Sequence, residues 1–244
     1  MPDVVVIGAV NVDIGAASLA PLVPGDSNPG RVRMTPGGVG RNIAHDLKLL
    51  GLSVSFITAL GDDLTGRALL EGCEALGLDM SRSLVVPGGQ SSTYLYVTGE
   101  DGDMVVAIND MEICQSLTPD YLEPLLPSLK DYGAMVLDAN LSPEALETIC
   151  KHARLPLYAD AVSAAKAPRL RPYLRQLRVL KTNGLEAMAL AGEKDPELAA
   201  RRLAKLCRGR VYVSLGAEGM LAAERDKLVY LPVYSTEVVN ANGA

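Results

Sequence analysis

Short apolar runs that alternate with stretches of helical periodicity limit, more than any other feature, how this chain can fold. The runs predict strands over Val4–Ala9, Ser53–Leu60, 134–138, 157–160, 178–181 and 210–215. The stretches between them predict helices over Asn42–Leu50, Thr65–Leu76, 143–152, 184–191 and 196–207. Repeated strand–helix–strand units build a mostly parallel sheet with helices on both faces. We therefore expect residues 1–244 to form one α/β domain.

Two segments interrupt this alternation. Residues 18–35 are rich in Pro, Gly, Asp and Asn, and residues 91–108 alternate in polarity around a Gly99–Gly102 turn that is typical of a β-hairpin. We expect both segments to form a small β-lid over the carboxyl ends of the parallel strands, where open α/β sheets bind ligands. A hairpin without a role in ligand binding is the alternative.

A glycine-rich turn, Pro36–Ala44, leads into the first predicted helix. Glycine permits backbone conformations and close approaches that a β-carbon blocks, so Gly37 and Gly38 would let a ligand lie against the main chain. The first N–H groups of a helix are free donors, and the Asn42 side chain both donates and accepts. This mixture suits a polyol such as ribose.

Charge and composition exclude several classes of partner. A formal net charge of −6 argues against a nucleic-acid polymer. The basic clusters at 169–178 and 201–210 are interpreted as solvated helix faces. The chain has neither a leader-like N-terminus nor an apolar run of membrane length, which predicts a cytoplasmic protein without a membrane partner. The spacing of the four cysteines is not that of a metal site, so we expect reduced, structural thiols.

Polar residues follow several of the predicted strands. Asn11 and Asp13 come soon after the first strand, where a carboxylate can accept hydrogen bonds from two sugar hydroxyls; a turn or cap role for Asp13 is the alternative. Asn183 and Glu186 lie three residues apart at a helix start. They are interpreted as a capping pair or as a site for hydrated Mg²⁺ or phosphate, and the spacing alone favours the cap.

Two glycine-containing turns are candidates for nucleotide and anion binding. Ser214, Gly216 and Gly219 follow a strand and would bring backbone close to a nucleotide or form a hairpin. Gly243 and Ala244 have the small-residue character of a turn entering a helix N-terminus, which is an anion site. We expect the chain to be incompletely represented there.

In this order and at this spacing, these segments resemble the ribokinase-like (PfkB) family of sugar and nucleoside kinases, and the resemblance covers the whole chain. Gly37 and Gly38 with Asn42 and Ala44 match the first family signature, and Gly243–Ala244 match the first half of the second. Within the family, similarity to the pseudouridine kinase subgroup rests on the segments 26–30, 35–44, 106–111 and 160–163 and on Asn240.

The resemblance implies an ATP-dependent kinase that uses Mg²⁺ and phosphorylates the 5′-hydroxyl of a nucleoside. Whether a monovalent cation also activates it is left open. The implied sugar-binding residues are Asn11, Asp13, Gly37, Gly38, Asn42 and Asn140, with Ser27, Asn28 and Asn109 near the base. The implied residues around ATP are Asn183, Ser214, Gly216 and Gly219, with Glu186 on Mg²⁺ through water and Gly243 and Ala244 in the anion hole.

The sequence departs from the family pattern at three places. Thr182 stands where proline is common, and Asn242 where threonine is frequent. The Gly-Asp that completes the second signature, and whose aspartate the resemblance makes the catalytic base, is not in the sequence. We therefore expect the C-terminal part of the fold to be missing and the chain by itself to be nearly inactive, since loss of one catalytic group costs about a hundredfold to a thousandfold.

Three functions remain open from sequence. The first is formation of pseudouridine 5′-phosphate, and the second is phosphorylation of another ribosyl substrate, such as ribose or a purine nucleoside. The third is a non-catalytic nucleoside or dinucleotide sensor on the same fold, although Gly8–Asp13 lacks the dinucleotide fingerprint. An exposed lid edge also predicts a homodimer formed through the lid.

Overall fold

The computed structural model of the chain describes residues 3–233. Its helices are α1 (Val39–Leu49), α2 (Leu64–Ala75), α3 (Pro119–Leu122), α4 (Pro143–His152), α5 (Gly184–Ala191) and α6 (Pro196–Leu206). Its strands are β1 (Val4–Ile7), β2 (Asn11–Ser18), β3 (Gly30–Gly37), β4 (Val54–Ile57), β5 (Ala59–Gly61), β6 (Leu84–Val86), β7 (Thr93–Thr98), β8 (Met104–Asp110), β9 (Ala134–Asp138), β10 (Leu157–Asp160), β11 (Leu177–Asn183), β12 (Arg210–Ser214), β13 (Met220–Glu224) and β14 (Lys227–Leu231).

The main sheet has the strand order β14-β13-β12-β11-β10-β9-β1-β4. Its pairs are parallel from β4 to β12, and antiparallel from β12 to β14. The mostly parallel sheet expected from the sequence is thus confirmed. Because the chain leaves β1 for β4 on one side and returns to β9 on the other, the strand order reverses between β1 and β9. In open α/β sheets such a reversal opens a crevice at the carboxyl ends of the strands.

The hydrophobic core lies on both faces of this sheet. Successive residues of β1 alternate, so that Val4 and Val6 pack in one cluster and Val5 and Ile7 in the other. The first cluster includes apolar residues of α1 and α2, and the second includes residues of α4, α5 and α6. Helices therefore cover both faces, as predicted.

A separate four-stranded sheet, β3-β2-β7-β8, forms the lid. The predicted hairpin at 91–108 is confirmed as the antiparallel pair β7 and β8. The boundaries of the other lid segment were wrong: its strands cover 11–18 and 30–37, and only the loop between them lacks strand structure. Asn11 and Asp13 consequently lie in a lid strand rather than in a turn or cap.

Other sequence expectations need correction. The predicted strand Ser53–Leu60 is divided into β4 in the main sheet and β5 in a small sheet with β6. The basic cluster at 169–178 is more than a solvated surface, because Arg169 donates to the carbonyl oxygens of Ala139, Asn140 and Leu141 at 3.1, 3.3 and 3.0 Å. Its guanidinium therefore holds the chain that follows β9.

The cysteines agree with the expectation of reduced thiols. Cys73, Cys114, Cys150 and Cys207 are free and buried, and burial raises the pKa of Cys150 to about 12. Within residues 3–233, no cluster of His, Cys, Asp or Glu has the arrangement of a metal site. The same range contains no helix both long enough and apolar enough to cross a bilayer.

Candidate active site

A buried carboxylate joins the three segments that meet where the strand order reverses. Asp138, the last residue of β9, is fully buried. Its Oδ2 accepts hydrogen bonds from the backbone N–H groups of Ala9 and Gly40 at 2.8 and 2.9 Å, and its Oδ1 accepts from Asn140 N at 2.9 Å. Desolvation raises the pKa of Asp138, and the hydrogen bonds from Ala9 and Asn140 oppose this effect. Asp138 thus fixes the start of α1 against the end of β1; the sequence analysis did not identify it.

The glycines of the 36–44 turn allow protein segments to pack closely. Gly38 has a φ of 100°, and a β-carbon there would lie 2.5 Å from the Ala9 carbonyl oxygen. A β-carbon on Gly40 would lie 2.9 Å from Ala9 N and from Gly8 Cα. At Gly37 a β-carbon would collide with the Asp13 carboxylate. Contact of a ligand with this backbone remains a prediction.

Asp13 lies beside this turn, as predicted, and is half-buried. Its Oδ1 accepts a hydrogen bond of 2.6 Å from Asn11 Nδ2. Desolvation raises the pKa of Asp13, while the Asn11 hydrogen bond and the Arg41 charge act in the opposite direction. A carboxylate with remaining acceptor capacity is therefore held at the mouth of the crevice.

The register of the lid places a row of polar side chains on one face. Thr35, Asp13, Tyr94 and Asn109 are paired in turn across β3, β2, β7 and β8. Directly paired residues point to the same face of a sheet. This polar lid row brings Asp13 and Asn109 onto one surface, and it adds Tyr94 and Thr35, which the sequence analysis missed because only the strand register reveals them.

Beneath the lid, a cleft of about 860 Å³ lies between its inner face and the start of α1. Asp13, Tyr94, Arg41 and Asn42 are among the residues that line it. Arg41 Nη1 donates to Asn42 Oδ1 at 3.1 Å. This bond uses the oxygen of the Asn42 amide and leaves its two N–H donors available. The structure therefore brings Asp13, the glycine turn and Asn42 together, which is the arrangement expected of a sugar-binding wall.

A second cavity, of about 720 Å³, lies at the other end of the polar lid row. Asn109 and Asn140 line it, together with Lys166, which the sequence analysis did not single out. Lys166 Nζ donates to Asn140 Oδ1 at 2.6 Å. Burial lowers the pKa of Lys166, and nearby Arg169 adds to the effect.

The Asn183–Glu186 pair forms a capping box at the start of α5. Asn183 Oδ1 accepts from Glu186 N at 2.9 Å, and Glu186 Oε2 accepts from Asn183 N at 2.8 Å. Asn183 Nδ2 also donates to Glu186 Oε1 at 2.7 Å. Desolvation raises the pKa of the buried Glu186 carboxyl. Each carboxylate oxygen retains further acceptor capacity, so Glu186 is able to hold a hydrated Mg²⁺ through water as well as cap the helix.

A shallow groove beside this cap is suitable for a nucleotide. Asn183, Ser214 and Gly216 line it together with the apolar side chains of Leu185 and Met188. The segment after β12 is a hairpin connection to β13, closed by a 2.8 Å hydrogen bond from Leu215 N to Gly219 O. Gly216 and Gly219 have φ values of 60° and 104°. Polar groups and exposed apolar side chains at the carboxyl ends of β11 and β12 fit the two chemical parts of ATP.

Other predicted residues lie apart from these cavities. Ser27 and Asn28 are in the exposed loop between β2 and β3, where Asn28 Oδ1 accepts from Val23 N at 2.7 Å and stabilises the loop. Among the described residues they are not part of the lining of either cavity. The predictions for Gly243 and Ala244, and for Asn240 and Asn242, lie outside the described residues.

Comparison with known proteins agrees with this geometry. The model of the pfkB family carbohydrate kinases matches residues 1–244. The chain is 37% identical to a pseudouridine kinase of Escherichia coli over 99% of this chain and 79% of that protein. It is 30% identical to a guanosine-inosine kinase of Exiguobacterium acetylicum over 100% of this chain and 84% of that protein.

A solved structure of a putative sugar kinase from Clostridium perfringens superimposes with a TM-score of 0.75 at 32% identity, covering 92% of this chain and 73% of that one. The fold and the crevice thus define a kinase of the ribokinase-like class. The chain belongs to the pfkB family of carbohydrate kinases.

Proposed function

We propose that this chain transfers the γ-phosphoryl group of ATP to the 5′-hydroxyl of a nucleoside, with pseudouridine as substrate and pseudouridine 5′-phosphate as product. The observation that carries the proposal is the Asp13 carboxylate, which is held by Asn11 beside the Gly37–Gly38 turn and lines the same cleft as Asn42. An acceptor flanked by amide groups and helix N–H donors suits vicinal ribose hydroxyls. The pseudouridine kinase relative supports the choice of nucleoside.

Positioning is the main task of the protein in this reaction, because phosphoryl transfer requires little covalent chemistry from it. Asp13, Gly38 and Asn42 would hold the ribose, with Asn140 approaching from the end of β9. In this proposal the 5′-hydroxyl points toward the ends of β11 and β12, beside which the nucleotide groove lies. The sheet then separates the two substrates by only the width of β9 and β10.

Kinases of this family use ATP, typically with Mg²⁺. In this proposal Asn183, Ser214, Gly216 and Gly219 border the nucleotide, and Glu186 holds Mg²⁺ through water. Bound Mg²⁺ would neutralise charge on the phosphate oxygens. Gly243 and Ala244 are proposed to supply backbone donors to the transferring group.

Binding and turnover measured side by side test this proposal. Calorimetric titration with pseudouridine, uridine, ribose and adenosine is expected to give the tightest binding for pseudouridine. Release of ADP from Mg²⁺-ATP, with mass spectrometry to locate the phosphate, measures transfer to the 5′-oxygen. Preference for ribose alone would contradict a nucleoside kinase. In a protein that carries the complete second signature with its Gly-Asp, nucleoside binding without ADP release would favour the sensor function.

A second candidate function is phosphorylation of another ribosyl substrate. The guanosine-inosine kinase relative matches the whole chain at 30% identity, which favours a 6-oxopurine nucleoside as the alternative. Inosine and guanosine added to the same titration would separate this candidate from pseudouridine. Tighter binding of either purine would replace pseudouridine as the proposed substrate.

A second copy of this chain is the partner that we propose for the outer face of the lid. Two rows of paired residues on that face are entirely apolar: Met34, Ile14, Leu95 and Ile108 in one, and Val32, Ala16, Val97 and Val106 in the other. Five of these side chains are exposed to solvent: Val32, Met34, Leu95, Val106 and Ile108. A flat apolar sheet face is suited to packing on an identical face around a twofold axis. The proposed contact is therefore the outer face of the lid sheet and not the exposed strand edge that the sequence indicated.

A further inference from the structure

Lys166, a cationic donor in the second cavity, has no role in the proposed binding of ribose or ATP. Lys166 lies after β10 and is half-buried, and its Nζ donates to Asn140 Oδ1 at 2.6 Å. An ammonium carries three donors and no acceptor. Across residues 3–233, Lys166 has no second side-chain hydrogen bond and no ion pair within 4.0 Å, although Asp110, Glu112 and Glu144 also line the cavity. Two of its donors therefore remain available to a ligand.

We propose that the cavity around Lys166 is the base subsite, and that Lys166 selects bases with an oxo group at the edge that enters it. The inference rests on the proposed nucleoside kinase function. A carbonyl oxygen accepts a hydrogen bond from the ammonium, whereas an exocyclic amino group would place donors against donors. A buried donor left without a partner is costly, which makes such a site discriminate strongly.

The position of the cavity agrees with the size of a nucleoside. Asn109, at its lid side, lies in the same row as Asp13, with Tyr94 between them. Two strand spacings separate Asp13 from Asn109, which is about 10 Å. This distance spans a nucleoside from its ribose hydroxyls to the far edge of its base. Tyr94 would then lie over the glycosidic bond, which joins the ribose to the base.

The neighbouring cation, Arg169, already has a structural role. Arg169 also lines the cavity, but its Nη1 is directed at three backbone carbonyl oxygens after β9. Arg169 therefore positions the loop that carries Asn140. Asn140 in turn uses its Oδ1 to hold Lys166, whose two remaining N–H donors we assign to the base.

Two pairs of nucleosides that differ at one exocyclic group test the inference: uridine with cytidine, and inosine with adenosine. Calorimetric titration of the unmodified protein is expected to show at least tenfold tighter binding of the oxo member of each pair. In Lys166→Met this preference is expected to fall to less than about threefold, with affinity for ribose changing less than affinity for the oxo nucleosides. Lys166→Arg should retain the preference because it keeps a cationic donor. Lys151→Met, on the exposed side of α4, is the matched control.

The outcomes separate this inference from the proposed function. A protein that binds ribose but none of the nucleosides would refute the nucleoside kinase function itself. Equal binding of oxo and amino members by the unmodified protein would overturn the base-selection inference and leave the kinase function intact. So would an unchanged preference in Lys166→Met, or an equal loss of ribose and nucleoside affinity in that variant. The comparison in the unmodified protein requires no variant to fold.

Discussion

At the scale of single residues, two carboxylates near the crevice, Asp138 and Asp13, have different surroundings. Asp138 is completely buried, and its oxygens are occupied by three backbone N–H groups. Asp13 is half-buried and accepts one side-chain hydrogen bond, from Asn11. A carboxylate accepts about four hydrogen bonds. Asp138 is therefore suited to hold the architecture, and Asp13 is suited to bind substrate.

Replacing Asp13 tests its role in binding. In Asp13→Asn, nucleoside affinity is expected to fall by about tenfold to a hundredfold, because a charged acceptor is lost. Protonation of Asp13 removes the same acceptor, and burial raises its pKa. Affinity of the unmodified protein should therefore weaken as the pH falls, beginning above the range of a free aspartate, and the variant should lose this dependence.

Calorimetry between about pH 4 and pH 8 measures both effects. Asp103→Asn, in the exposed turn of the lid hairpin, is the control and should bind normally. An Asp13→Asn protein with unchanged affinity, or with the same pH profile as the unmodified protein, would remove Asp13 from the sugar site.

Replacing Asp138 tests the architectural role. Asp138→Ala leaves the N–H groups of Ala9, Gly40 and Asn140 without their acceptor, and is expected to lower the free energy of unfolding by at least about 3 kcal/mol. Chemical denaturation measures this change. Asp131→Ala, at an exposed turn, should change it by less than about 0.5 kcal/mol. Equal stability of the two variants would show that water or a rearrangement replaces the buried carboxylate.

At the scale of elements, two helical glycines, Gly40 and Gly72, differ in whether the surrounding structure leaves room for a side chain. Gly40, in α1, packs directly on Gly8 and Ala9, whereas Gly72, in α2, has no neighbouring atom within 4 Å of an added β-carbon. Gly40→Ala is expected to lower the free energy of unfolding by about 1–3 kcal/mol through overpacking. Gly72→Ala should raise it by about 0.5–1 kcal/mol, because alanine restricts the unfolded chain and favours helix.

Thermal and chemical denaturation of both variants measure the difference. Because the two changes are chemically identical and both occur in helices, helix propensity alone would shift them in the same direction. A stabilised Gly40→Ala protein would therefore show that α1 is free to move away from the end of β1.

The elements that sequence predicted best are those with local signals at both ends. Helix α4 begins at Pro143 after Ser142, whose Oγ caps Ala145 N at 3.1 Å, and helix α5 ends at Gly192 in a left-handed conformation. Strand Ser53–Leu60 was predicted as continuous because its break at Thr58 depends on distant partners. Thr58 N donates to Ser83 Oγ and Thr58 O accepts from Leu84 N, which turns the chain into the small sheet.

The residues of the candidate site also differ in whether local sequence signals could predict them. Asp13 comes soon after β1, Asn42 lies in the first turns of α1 and Asn183 caps α5, so spacing alone could predict that they lie near the carboxyl ends of the parallel strands. The lid strand that carries Asp13 was not predicted. Tyr94 required the register of β2 and β7, which no local pattern specifies. Lys166 depends on a turn after β10 in which Val162 has a φ of 63°. Such a conformation is uncommon for a β-branched residue and is not predictable from sequence.

At the scale of the whole molecule, the lid has two chemically different faces. The inner face carries the polar lid row and the arginines of β3, and it lies over the cleft. The outer face carries the two apolar rows, with Val32, Met34 and Ile108 between 62% and 67% exposed. Strand alternation therefore gives one sheet a polar and an apolar side, which would serve the proposed substrate binding and the proposed association separately.

Burial of the outer face against a second copy is expected to make the protein a dimer, because an exposed apolar face of this extent is unfavourable in water. Light scattering after gel filtration should give a mass of two chains. Met34→Glu combined with Ile108→Glu should give one chain, since charges cannot be buried at the centre of an apolar interface. Leu198→Glu places the same charge on α6, away from the lid, and should remain dimeric. A monomeric unmodified protein, or a double variant that stays dimeric, would show that this face does not hold two copies together.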